Sequence, residues 1–225
     1  MLSALIDAVL DGLALILPVE CAGCGAPDRA VCAACAARLV PEPSSRRLAD
    51  GLTVFSGLEY EGIARAVILA FKEQSRTGLA RPLAPALAAA VAAASASFDL
   101  AGVELVAVPS SRRSRRRRGF DPVPVLIARA GLDRSRVFAP ARPHAVQKSL
   151  TVDERARNLA AVFETRTPLS GRRFVLVDDV VTSGATLTAA ANALRAAGAE
   201  VVAAVVVAST PRRFAPLSGF VANVQ

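Results

Sequence analysis

Three short runs of aliphatic side chains, at residues 105–108, 174–177 and 201–208, are bounded by turn residues or charge. Unbroken apolarity over so few residues, with no polar alternation, is the pattern of strands buried on both faces of a parallel sheet. Between the last two runs, Leu187, Ala190, Leu194 and Ala197 recur at helical spacing, and Gly198 supplies a stop. Strand, loop, helix, glycine and strand in that order make a βαβ unit and predict a parallel sheet flanked by helices. Upstream, residues 52–60 read as a strand or hairpin, and residues 63–71 and 79–94 read as helices. The second of these helices is alanine-rich, with Pro82 and Pro85 in its first turns.

The N-terminal stretch 2–17 is apolar, but it carries Asp7 and Asp11 and lacks a basic flank. It reads as a short amphipathic helix and not as a signal peptide. The run from Pro41 to Arg47 mixes proline, serine and arginine in the manner of a linker. The pattern therefore predicts two units, an N-terminal helix and cysteine module over 1–45 and an α/β domain over 50–225. No later segment reaches about 18 strongly apolar residues, 83–98 being alanine-rich with Pro82 just before it and Pro85 near its start. The expectation is a soluble cytoplasmic protein with no membrane span.

Composition narrows the function classes. At 225 residues, 53% hydrophobic and 20% charged, the chain is far from the composition of disordered proteins. A net charge of +8 favours acidic partners, whether nucleic acid, anionic lipid or a phosphorylated small molecule. Of its 27 basic residues only Lys72 and Lys148 are lysine, and arginine's planar fork suits phosphate.

The most informative segment runs Val175-Leu176-Val177-Asp178-Asp179-Val180-Val181-Thr182-Ser183-Gly184-Ala185-Thr186. An apolar strand delivers two carboxylates and then a small, hydroxyl-rich turn at a helix start. Small residues let backbone approach a phosphate, the helix N-terminus offers unpaired N–H groups, and Thr182, Ser183 and Thr186 add hydroxyls. Open parallel sheets bind ligands at this end of their strands. No lysine follows Gly184 as a P-loop requires, and no G-x-G-x-x-G follows a strand.

Cys21-Ala22-Gly23-Cys24 and Cys32-Ala33-Ala34-Cys35 form two C-x-x-C knuckles seven residues apart, with no other cysteine in the chain. Four thiolates suit a structural, tetrahedral Zn2+ that would supply the folding energy so short a segment lacks. Disulfides are the alternative, disfavoured in a reducing compartment. Arg112, Arg113, Arg115, Arg116, Arg117 and Arg118 follow the strand ending at Pro109, and read as a basic loop that grips pyrophosphate or a nucleic-acid backbone. His144 reads as a loop residue and not as a general base.

The 175–186 segment resembles the ribose-phosphate signature of type I phosphoribosyltransferases. A narrower resemblance is to the ComF family, whose pattern is an N-terminal double C-x-x-C, a Y-E-G…K block (Tyr60, Glu61, Gly62, Lys72), an R-G-F block (Arg118, Gly119, Phe120) and a Q…ER…N segment (Gln147, Glu154, Arg155, Asn158). Asp121 stands where many relatives have Asn. The resemblance implies a type I phosphoribosyltransferase core joined to a zinc module. It implies catalytic Asp178 and Asp179 on the ribose hydroxyls of 5-phosphoribosyl-1-pyrophosphate (PRPP), with residues Val180, Val181, Thr182, Ser183, Gly184, Ala185 and Thr186 around the 5-phosphate. Pyrophosphate falls to Arg118, Gln147 and Arg155, with Mg2+ bridging it, and the acceptor is left unassigned. Because the family is named for natural competence, the rival expectations are a nucleic-acid-binding or DNA-uptake accessory and a PRPP sensor without turnover. Dimers are common among similar enzymes, so a homodimer is also expected.

Overall fold

A computed structural model describes residues 19–139, 163–165 and 167–211. The predicted N-terminal helix, His144, Gln147 and Arg155 lie outside these residues. The described residues build a five-stranded sheet in the order β1-β2-β5-β4-β3, with β1 Ser44–Arg47, β2 Thr53–Glu59, β3 Val103–Ala107, β4 Arg173–Val181 and β5 Glu200–Ser209. All neighbouring pairs are parallel except β1 with β2. The carboxyl ends of β2 to β5 therefore share one edge of the sheet, where the two aspartates stand.

The unbroken apolar runs are explained by the two faces they cover. Along β4, Val175 and Val177 enter one core together with Val205 and Phe55. Phe174 and Leu176 enter the other, together with Ala204 and Val206. Beyond the short α1 (Ala33–Ala37), the first face is covered by α2 (Gly62–Glu73), α3 (Ala80–Ser97) and α5 (Pro122–Arg129), and the second by α6 (Ala185–Ala196). Leu83 and Leu87 of α3 are fully buried. Truncating either to alanine is expected to cost roughly 2–5 kcal/mol.

Alanine richness in α3 has a packing reason. A Cβ built on Gly57 of β2 would lie 2.0 Å from the Ala86 carbonyl oxygen, so strand and helix meet backbone to backbone. The stretch Thr77–Ser97 is long and apolar enough by composition to cross a membrane, contrary to the sequence expectation. Its buried residues, Ala80, Leu83, Ala84, Ala86, Leu87, Ala90 and Ala94, pack into the core on the sheet.

Two further expectations are corrected. The run read as a linker supplies β1, in which Ser44 to Arg47 pair with Ser56 to Thr53. Polar side chains suit it because an edge strand needs few buried contacts. The arginine run is not a loop but a helix, α4 (Arg112–Arg118), whose start is capped by the Ser111 side chain accepting from the Ser114 N–H at 3.1 Å. Gly119 ends it in the left-handed conformation, at φ 75°. Both signals stand in the sequence, but six arginines obscured them.

Candidate functional site

At the end of β4 the two carboxylates have different surroundings. Asp179 is buried, and its Oδ1 accepts from Lys72 Nζ at 2.9 Å, a contact delivered by the last turn of α2. Asp178 accepts from the Asp179 backbone N–H at 2.8 Å. Burial first, and the Asp179 charge second, push the Asp178 carboxyl up to about 8, against the smaller pull of that N–H and of Lys72. Near neutral pH it holds a proton that an approaching cation would displace.

After Val181 the chain turns through Thr182 and Ser183 to Gly184, which lies at φ 87° and opens α6. Glycine is required there twice over, by the left-handed backbone and because a Cβ would fall 2.6 Å from a Leu48 methyl. The Arg46 guanidinium donates to the Thr182 carbonyl, so β1 braces the turn. The turn is also tied to the sheet by Thr210 N–H donating to Val181 O at 3.0 Å. Asp178, Val180 and the turn from Val181 to Thr186 line a small concavity of about 30 Å³ at the helix N-terminus.

Beside it lies a larger cavity of about 370 Å³, lined by Lys72, Asp178, Asp179 and Thr186, by Ser111 and Ser114 of the basic helix, and by Arg118. Arg118 Nη2 donates to Glu73 Oε1 at 2.7 Å, and Arg117 pairs with the other oxygen of the same carboxylate. The Nε of Arg118 is buried with no hydrogen-bond partner. A buried donor left without a partner calls for an explanation, and the Arg118 side chain also lines the cavity. The pair Lys72 and Glu73 thus ties together the carboxylates and the arginine helix. Sequence reasoning had given neither residue a role in the site, although Lys72 stood out as one of two lysines and as a member of the Y-E-G…K block.

Asp178, Asp179, Val180, Thr186 and Arg118 thus come together, with the remaining turn residues around the adjoining concavity. The cysteines form a separate centre, where all four Sγ atoms lie within 4.8 Å of one another and Cys24 and Cys32 approach to 3.7 Å. Four sulfurs at about 2.3 Å from one tetrahedral ion would sit roughly 3.8 Å apart, so the donor set fits a metal ion. None of the four is in a disulfide.

The knuckle backbone prepares this centre. Gly23 and Cys32 N–H groups point at Cys21 Sγ, at 3.4 and 3.3 Å. Burial raises the Cys21 thiol, but backbone donors at Cys32, Cys24 and Gly23 prevail and bring it down to about 6. Cys35 is pushed up to about 12 by burial and by the other cysteines around it. A Cβ on Gly23 would lie 2.7 Å from Cys35 Sγ and 3.1 Å from Ile63, so the module packs closely against α2.

Residues 80–222 match the family of the phosphoribosyl transferase domain. Among characterised proteins, DNA utilization protein YhgH of Escherichia coli strain K12 is 36% identical over 105 residues, which cover 44% of this chain and 45% of that protein. Its counterparts in Escherichia coli O157:H7 and Shigella flexneri are 35% identical over the same length and coverage. The matched stretch is thus less than half the length of each relative. Both findings agree with the ComF resemblance carried by the sequence blocks.

Proposed function

From the premise that this chain belongs to the phosphoribosyl transferase domain family, we propose that it binds PRPP with Mg2+ at the carboxyl edge of β4 and transfers the phosphoribosyl group to an acceptor. One observation carries this reading. Two carboxylates, a helix N-terminus behind a left-handed glycine, and the half-buried Arg118 meet around adjoining cavities.

Asp178 and Asp179 hold the ribose hydroxyls, and Lys72 fixes the Asp179 rotamer while leaving its second oxygen for substrate. The 5-phosphate sits on the turn from Val180 to Thr186, where amide dipoles and hydroxyls meet its charge. Arg118 meets the pyrophosphate, and Gln147 and Arg155 join it. Mg2+, when bound, would supply positive charge that neutralises the leaving pyrophosphate. Because an oxocarbenium-like displacement needs no protein nucleophile, the residues act by positioning and by electrostatics.

The cysteine centre holds structural zinc, since four soft thiolates in a tetrahedral set select that ion and leave no open position. It belongs to an N-terminal unit that ends before β1, since that strand pairs with β2 of the phosphoribosyltransferase unit, in a cytoplasmic protein that associates as a homodimer. A second reading, a DNA-uptake accessory that binds nucleic acid, draws on the relatives' name and on the solvent-facing Arg113 and Arg116 of α4.

Pyrophosphate release from PRPP and Mg2+ with a panel of nucleobases separates these readings. Release that disappears in Asp178→Asn supports transfer. PRPP binding without release for any acceptor makes the chain a sensor. DNA affinity that survives Asp178→Asn but is lost when Arg113 and Arg116 are neutralised, with no PRPP binding, overturns the first reading in favour of the second.

A further inference from the structure

We propose that the arginine helix carries a second anion site on its opposite flank, built for a small phosphorylated molecule bearing an apolar ring. The helix divides its side chains by face. Ser111, Ser114 and Arg118, at helical spacing, line the cavity of the two aspartates. Arg112 and Arg115, about a quarter turn round, line another cavity of about 370 Å³ beside the outer edge of β3, where Val106 bridges to Ser135. Arg134 and Arg136 approach that cavity from the other side, and Pro109 and Ser110 form the partition between the two.

Four arginines therefore line one concavity. Among the described residues, Arg117, Arg118, Arg172, Arg173 and Arg195 each pair with a carboxylate. None of these pairs involves Arg112, Arg115, Arg134 or Arg136. The one carboxylate in the cavity, Asp121, accepts from Ser110 Oγ at 2.9 Å. Unbalanced positive charge in a walled recess raises the local concentration of anions, and paired arginine forks select phosphate geometry.

The floor defines the rest of the ligand. Val106, Val137 and Phe138 are buried beneath the arginine rim. A recess with apolar floor and cationic rim takes an amphipathic anion, the ring on the floor and the phosphate at the rim. Its volume lies near the low end of small-molecule sites, which run about 300–1,000 Å³. That size suits one phosphorylated ring and not a strand of nucleic acid.

The test is an amide NMR titration of the full 15N-labelled chain with phenyl phosphate and, separately, with inorganic phosphate. It is repeated on Arg112→Gln/Arg115→Gln and on Arg134→Gln/Arg136→Gln, with circular dichroism and melting as fold controls. Phenyl phosphate is expected to shift resonances at 112–115 and 134–138, to bind more tightly than phosphate, and to weaken about tenfold in each double variant. Mg2+–PRPP affinity is expected to be unchanged in Arg134→Gln/Arg136→Gln. Shifts confined to 182–186, no shifts, equal affinity for the two probes, or affinity retained in either folded double variant would overturn the proposal. Failure of PRPP to bind would leave it standing.

Discussion

Replacing Asp178 by Asn keeps an oxygen for the Asp179 N–H and removes one titration at the end of β4. Burial, then the Asp179 charge, raise the folded-state carboxyl from 3.8 to about 8. Between those values the unfolded chain releases the proton while the folded chain retains it. Wild-type stability therefore falls as pH rises through that window, is fully present below it and levels off above it. The four-unit rise sets a ceiling of roughly 6 kcal/mol, at about 1.4 kcal/mol for each pH unit. Because the Lys72 ammonium and relaxation around the charge reduce that figure, the expected gain from Asp178→Asn at alkaline pH is about 1–3 kcal/mol. Urea unfolding at about pH 4 and about pH 8.5 measures it, since midpoints shift with stability when the slope is constant. The two proteins should match near the lower pH, and the variant should be the more stable at the higher. A variant equal to or weaker than wild type at pH 8.5 would refute the reasoning.

Lys72→Met leaves buried Asp179 without its cation. It should cost roughly 1–3 kcal/mol in denaturant unfolding, less than a fully buried pair because Lys72 keeps some solvent; no loss would mean that the contact is not formed in solution. Gly57→Ala forces a methyl group against the Ala86 carbonyl. Its melting temperature should fall by several degrees for a cost of about 2–3 kcal/mol, and an unchanged melt would contradict the close packing of β2 on α3. Cys24→Ser should reduce bound zinc from about one ion per chain to a small fraction in metal analysis of chelator-free protein. Full zinc content in that variant would reject the four-thiolate centre.

The sheet was legible because strands buried on both faces must be apolar without interruption, as Phe174 to Val177 are. The turn after β4 was legible because carboxylates, hydroxyls and Gly184 keep their order along the chain. The cysteine cluster followed from spacing alone, since each knuckle is a local turn. The pairings of Lys72 with Asp179 and of Glu73 with Arg117 and Arg118 join residues far apart in sequence, and no periodic pattern announces them. β1 was misread because an edge strand draws its stability from the ladder with β2 and not from apolar side chains. The basic run was misread because charge was weighed above Ser111 and Gly119, the two residues that frame a helix. Treating it as one patch also hid its division between two cavities, which only the helical geometry reveals.

The proposed function rests on PRPP binding at the end of β4. Its most direct test is calorimetric titration of Mg2+ and PRPP into the wild-type protein and into Asp178→Asn/Asp179→Asn, both checked for fold. The account predicts saturable, Mg2+-dependent binding near one equivalent in the wild type, and its loss in the double variant. Absence of binding in the wild type, or equal binding in the two proteins, would contradict it.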